Sequence, residues 1–137
     1  MTEGNGIPIG LALEGANRHD MKRVRATLES LPIERPAPNA TEKQHMCLDK
    51  GYDYKEVREI LAEFGFTAHI RTRGEEARLI KKEAGFKARR WVVERCHSWM
   101  NRFRRILIRW DKKPENYLAF LHFACGLVAL RAAGLFG

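Results

Sequence analysis

Three short apolar runs are spaced along this chain with helical segments between them, and that alternation limits the fold more than any other feature. The runs are Ile7-Pro8-Ile9-Gly10-Leu11-Ala12-Leu13-Glu14, His45-Met46-Cys47-Leu48-Asp49 and Phe66-Thr67-Ala68-His69-Ile70, each of strand length. Pro8 puts the first run at a sheet edge or a strand start, because proline has no N–H to give to a ladder. Between the first two runs, Asn17 to Asp20 supply capping residues, 21–31 has a helical period, and Pro32, Pro36 and Pro38 punctuate the connection. Between the second and third, Val57, Ile60, Leu61 and Phe64 form one stripe of a helix over 54–63, with Asp53 as its cap and Gly65 as its stop. Parallel strands need a crossover of this kind, so the expected class is α/β with a largely parallel sheet of about three short strands. A chain of 137 residues, 45% of them hydrophobic, is long enough for one domain with its own core.

After Ile70 the character changes. A basic loop, Arg71-Thr72-Arg73-Gly74, leads through a charged stretch to a long basic helix expected over 86–105. Pro114 breaks the pattern, and an apolar helix follows over 117–136. Residues 86–113 hold ten Lys/Arg and two acids, while the rest of the chain carries fifteen of each sign. The whole net charge of +8 therefore sits in this segment. On a helical wheel Val92, Cys96, Trp99, Phe103, Ile106 and Trp110 form one stripe, opposite Arg90, Glu94, His97, Asn101, Arg104 and Arg105. Such a surface suits a polyanion. Glu94, the one acid of the helix, either pairs with Arg90 one turn earlier or serves a purpose that needs a carboxylate beside phosphates.

Other classes are disfavoured. Cys47, Cys96 and Cys125 have neither paired nor zinc-ligand spacing, which points to a reducing compartment. The polar N-terminus lacks the apolar stretch of a signal peptide. The apolar segment 117–136 is interrupted by His122 and Arg131, so a buried terminal helix is expected there, with His122 in the core. The expected location is the cytoplasm, with no membrane partner.

Asp49 is placed for chemistry, because ligands of open α/β sheets bind beyond the carboxyl ends of strands. An acid after a strand also serves commonly as a helix cap, and both readings stand at this point. Two carboxylates among cations suit Mg²⁺, which takes one or two carboxylates together with substrate phosphates.

Four segments carry a family resemblance. They are Gly15-Ala16-Asn17-Arg18-His19-Asp20, Leu48-Asp49-Lys50-Gly51-Tyr52-Asp53, Arg90 to Arg95 with Trp99 to Arg105, and Glu115-Asn116-Tyr117-Leu118. In this order, over about residues 6–131, the chain resembles the C-terminal part of a bacterial insertion-sequence transposase of the DDE class. The resemblance implies a partial ribonuclease-H-like fold. It also implies Mg²⁺ or Mn²⁺, two ions in the complete enzyme, held by two aspartates and a glutamate. The expected substrates are DNA at the element's ends and target DNA, which is cut and then joined. Asp49 matches the second aspartate and Glu94 the glutamate. Arg90 matches the family's basic residue, and Arg71, Arg73, Arg102, Arg104 and Arg105 are the expected phosphate neutralisers.

Two positions depart from the family pattern: Lys87 stands where an aromatic is expected, with Phe86 beside it, and Asn101 stands where a basic residue is expected, with Arg102 next. The family's first aspartate lies on a strand upstream of Gly6-Ile7-Pro8, and neither Glu3 nor Asp20 substitutes for it. The expectation is thus a single, N-terminally incomplete catalytic domain over 1–137. It is either completed by an upstream-encoded N-terminal portion or left as an inactive remnant that only binds DNA.

Overall fold

A computed structural model of the chain describes residues 1–15, 19–39, 41–70 and 91–135. The architecture is mixed α/β and divides into two compact units. Asn17–Glu29 and Ile33–Ala88 form one; Met1–Ala16, Ser30–Pro32 and Arg89–Gly137 form the other.

In the strand-bearing unit a 3-10 turn (Asp20–Arg23) runs into helix α1 (Val24–Glu29). Strand β1 (Gln44–Leu48), helix α2 (Lys55–Glu63) and strand β2 (Phe66–Ile70) then form a β–α–β crossover. The strands pair in parallel, from Gln44 opposite Phe66 to Leu48 opposite Ile70, as the intervening helix requires. The two-residue period sorts their side chains: Gln44, Met46 and Leu48 are half-buried, whereas His45 and Cys47 are exposed. Val57 and Leu61 on α2 are fully buried, as is Ile70 on β2, and Val24 and Leu28 on α1 are buried too.

Polar ties hold the long connection in place. Arg35 donates to Gln44 Oε1 at 2.7 Å and to the Phe64 carbonyl at 2.8 Å, and its guanidinium lies 4.2 Å from the centre of the Phe66 ring. One residue thus links β1, the end of α2 and β2. Arg25 on α1 donates to Glu63 on α2 at 2.9 Å, and that guanidinium holds the Glu63 carboxyl below its ordinary range.

The stop after α2 is a glycine for two reasons. Gly65 has φ +75°, and a Cβ there would lie 2.8 Å from Cγ of Pro38. Gly65→Ala is expected to cost about 1–3 kcal/mol of stability from backbone strain alone, read as a lowered denaturant midpoint. The start of α2 differs from the sequence expectation. Its N-cap is Tyr54, with no side-chain cap, and Asp53 instead accepts from Arg58 Nε (3.1 Å) and Nη2 (2.7 Å). The ion pair has drawn the carboxylate away from the helix amides.

The run over 7–14 is not a third strand. Gly6, at φ +87°, turns the chain back on itself, and Thr2 and Pro8 form an isolated antiparallel bridge. Ile9 N–H donates to the Met1 carbonyl and Glu3 N–H to the Ile7 carbonyl, both at 3.0 Å. Main-chain groups that a ladder would use are spent on this hairpin, and Pro8 has no donor to offer. The described sheet accordingly has two strands.

The hairpin belongs to the second unit, where Gly6 meets helix α3 (Trp91–Met100): a Cβ on it would stand 3.0 Å from the Val92 carbonyl. The long basic helix expected over 86–105 is broken. After α3 a turn over 101–103 leads into the short helix α4 (Arg104–Leu107), with extended backbone at Phe103. Asn101 is a weak helix former, and Arg102, Arg104 and Arg105 repel one another with no acid between them. Residues 86–90 lie outside the described residues.

Helix α5 (Pro114–Ala132) begins with proline in its first turn, as the sequence indicates. It is apolar nearly all round, yet only Ala124 and Val128 are buried, Phe123 is 66% exposed and His122 is exposed. The expectation of a buried helix with a core histidine is thus corrected. A helix apolar on every face needs neighbours on every face, and within the described part of its unit α5 has them on one side only. Burial pushes the Cys96 and Cys125 thiols up from their ordinary range. Among the described residues no helix is long and apolar enough to cross a membrane.

Candidate functional site

Asp49 immediately follows β1, and its two oxygens have different environments. Oδ1 accepts the Gly51 N–H at 2.8 Å and caps the 3-10 turn Lys50–Tyr52. Oδ2 makes no hydrogen bond among the described residues, and the side chain is exposed. The helix-cap reading and the ligand reading are therefore compatible, since the cap uses one oxygen and leaves the other open. Beside the carboxylate lies an open hollow of about 200 Å³ lined by His19, Met21, Asp49, Gly51 and Tyr52. The juxtaposition of His19 with Asp49, thirty positions later, has no local signal in the sequence.

Glu94 lies on the exposed side of α3, whose other side buries Val92 and Cys96. It makes no hydrogen bond or ion pair among the described residues. The cation next to it is otherwise engaged. The Arg95 guanidinium lies 4.6 Å from the Trp99 ring centre and 5.7 Å from that of Trp91, so three residues four apart form a stacked ladder along the helix. The spacing Trp-x-x-x-Arg-x-x-x-Trp over 91–99 is visible in the sequence and could have signalled this ladder. Arg90, the alternative partner of Glu94, lies outside the described residues, as do Arg71 and Arg73.

The remaining basic candidates separate into two kinds. Arg105 donates to Asp111 Oδ1 at 3.1 Å and lies 4.1 Å from the Phe120 ring centre, so it ties α4 to the chain that follows. Arg102 and Arg104 are exposed, and their side chains make no hydrogen bond or ion pair among the described residues. Arg109 donates to the Asp111 carbonyl at 3.1 Å and lies 5.4 Å from the Tyr117 ring centre. Arg104, Arg105, Leu107, Ile108 and Trp110 line a shallow groove, in which Trp110, expected on the packed stripe, is 75% exposed. The turn after α3 ends the stripe early, which is why Trp110 leaves it.

Asp49 and Glu94 offer the carboxylate oxygens a hard divalent cation takes. They belong to different units, however, and among the described residues no three His, Cys, Asp or Glu side chains are grouped to hold a metal. The described residues thus fit a metal in kind but do not complete a centre.

The first strand of the parallel β–α–β crossover thus ends at a half-open aspartate, and in the other unit α3 carries a glutamate that makes no ion pair among the described residues. The profile of the family described as "Transposase DDE domain" matches residues 46–131, and the chain belongs to that family. Members of this family work with divalent metal ions on DNA. The chain is also 31% identical, over 137 aligned residues, to a Burkholderia cepacia protein whose name reads "Putative transposase for insertion sequence element IS402". The match takes in 93% of this chain and 59% of that relative, so the chain spans little more than half of the relative's length. No solved structure matches.

Proposed function

We propose that these residues are the C-terminal portion of the catalytic domain of an insertion-sequence transposase, with Asp49 and Glu94 as two of its three metal-binding carboxylates. Membership of the family supports this reading. The observation that carries it is the open oxygen of Asp49 at the end of a parallel strand. In the complete protein the fold is ribonuclease-H-like and single-domain over these residues. The first aspartate and its strand come from sequence N-terminal to them, in the same chain or a separately encoded portion. The partners are element-end and target DNA, in the cytoplasm. Bound between these carboxylates, two Mg²⁺ or Mn²⁺ ions would supply the charge that activates one oxygen and stabilises the other during displacement at phosphorus.

The protein's own contribution is positional. The Gly51 N–H, donating to Oδ1, fixes the Asp49 carboxylate, so that Oδ2 keeps one direction. Stacking on the two tryptophans holds Arg95 along the helix, so among the described residues Glu94 has no cation paired with it on its exposed side. Arg102 and Arg104, with Arg90, Arg71 and Arg73, would neutralise phosphates.

A second reading, a remnant that binds DNA without cutting it, draws on the same two unpaired arginines and on the lack of a completed centre among the described residues. One experiment separates the two. The complete transposase is incubated with element-end DNA and Mg²⁺, with and without a chelator, and binding is followed over a salt series. The catalytic reading expects cleavage that the chelator stops while binding persists. Replacing Arg102 and Arg104 by Gln should flatten the salt dependence by about one unit of log–log slope per residue. Binding with no cleavage under any metal leaves the remnant reading standing.

A further inference from the structure

Across the exposed side of the sheet, His45 and His69 meet. His45 Nδ1 and His69 Nε2 are 2.7 Å apart, with ring centroids separated by 5.0 Å and planes tilted by 36°. The two histidines are twenty-four positions apart in sequence and lie diagonally on neighbouring strands: His45 is opposite Thr67, and His69 is opposite Cys47. Parallel register brings them together, and no ligand motif announces them.

An N···N approach this close is a hydrogen bond in which one ring donates and the other accepts through its lone pair. The same geometry is nearly that of a chelate. Two imidazole nitrogens at about 2.0–2.1 Å from one tetrahedral metal stand roughly 3.3 Å apart, so opening the pair by about half an ångström would admit a cation, the donor ring's proton moving through water to its other nitrogen. His45 is exposed to solvent, from which a cation would enter. Imidazole selects late first-row ions, whereas Mg²⁺ prefers oxygen.

We propose that His45 and His69 form a binding site for one late first-row divalent cation, of the Ni²⁺ and Zn²⁺ class. The site is distinct in ligand chemistry from the carboxylate centre. Its occupation would clamp β1 to β2 four residues ahead of Asp49, and so fix the strand that presents that carboxylate. Cys47 shares the exposed face, and among the described residues no third His, Cys, Asp or Glu is grouped with the two rings.

The test is equilibrium dialysis and calorimetry of the untagged, metal-stripped chain with Ni²⁺ alone. The unsubstituted chain is expected to take up a single saturable equivalent, with a rise in thermal midpoint. His45→Gln and His69→Gln should each lose that uptake, while circular dichroism shows the fold retained. Cys47→Ser, Asp49→Asn and Glu94→Gln should keep it, so failure of the transposase reading would leave this result untouched. Absence of saturable uptake by the unsubstituted chain overturns the proposal. So does uptake that survives both histidine substitutions, or uptake abolished by Cys47→Ser, which would mark a thiolate site instead.

Discussion

Asp49→Asn and Glu94→Gln, made in the complete transposase, are each expected to slow strand cleavage by about a thousandfold or more, since a lost metal contact removes several kcal/mol of transition-state stabilisation. The choice of amides matters. An asparagine at position 49 still offers an oxygen to the Gly51 N–H, so it preserves the cap that Oδ1 makes and removes only the charge. Asp49→Ala removes both, and should add a stability loss of roughly 1 kcal/mol for the missing cap. A charge-dependent role therefore predicts that the Asn and Ala variants are equally inactive but differ in thermal midpoint. Full activity in Asp49→Asn would reduce the residue to a cap. For Glu94, which has no bond to lose among the described residues, Gln should leave stability unchanged, and any loss of cleavage is then chemical. DNA binding should survive in all three variants, because the cations that supply it are elsewhere on the chain.

Leu61→Ala should be the most damaging single truncation in the strand-bearing unit. Leu61 is 0% exposed, on the face of α2 that also buries Val57. Truncations of this kind cost about 2–5 kcal/mol, against a typical total of 5–15 kcal/mol for a domain. Among the described residues of this unit the buried apolar side chains are few: Val24, Leu28, Val57, Leu61 and Ile70. Losing one should therefore bring the denaturation midpoint down sharply or remove cooperative unfolding altogether. Phe123→Ser on α5 makes the contrast, since a residue so exposed should change stability by less than about 0.5 kcal/mol. Comparable losses from both would mean that α5 is covered after all.

The parts of the fold legible in sequence were those set by short-range rules. The second and third apolar runs became β1 and β2 within one residue of their expected bounds, because alternation and a glycine stop act locally. Parallel pairing followed from the helix between them. The first run misled because its apolar residues say nothing about a partner. With Pro8 unable to donate, Gly6 folded it onto the preceding residues instead. Helical period likewise ran past Asn101 on paper, although three arginines without acids could not sustain the helix. At the site, Asp49 was legible as an acid ending a strand, but the split between its capped and open oxygens depends on the backbone at Gly51. The histidine pair was illegible, because strand register, not spacing, sets which side chains meet across a sheet.

The parallel pairing of β1 and β2 has a consequence for handling the protein. Strands that run the same way cannot be joined by a tight turn, so the chain between them must travel back through α2. A protease cut in that crossover would leave the two strands on separate pieces, held together only by their ladder and by the side chains buried against α2.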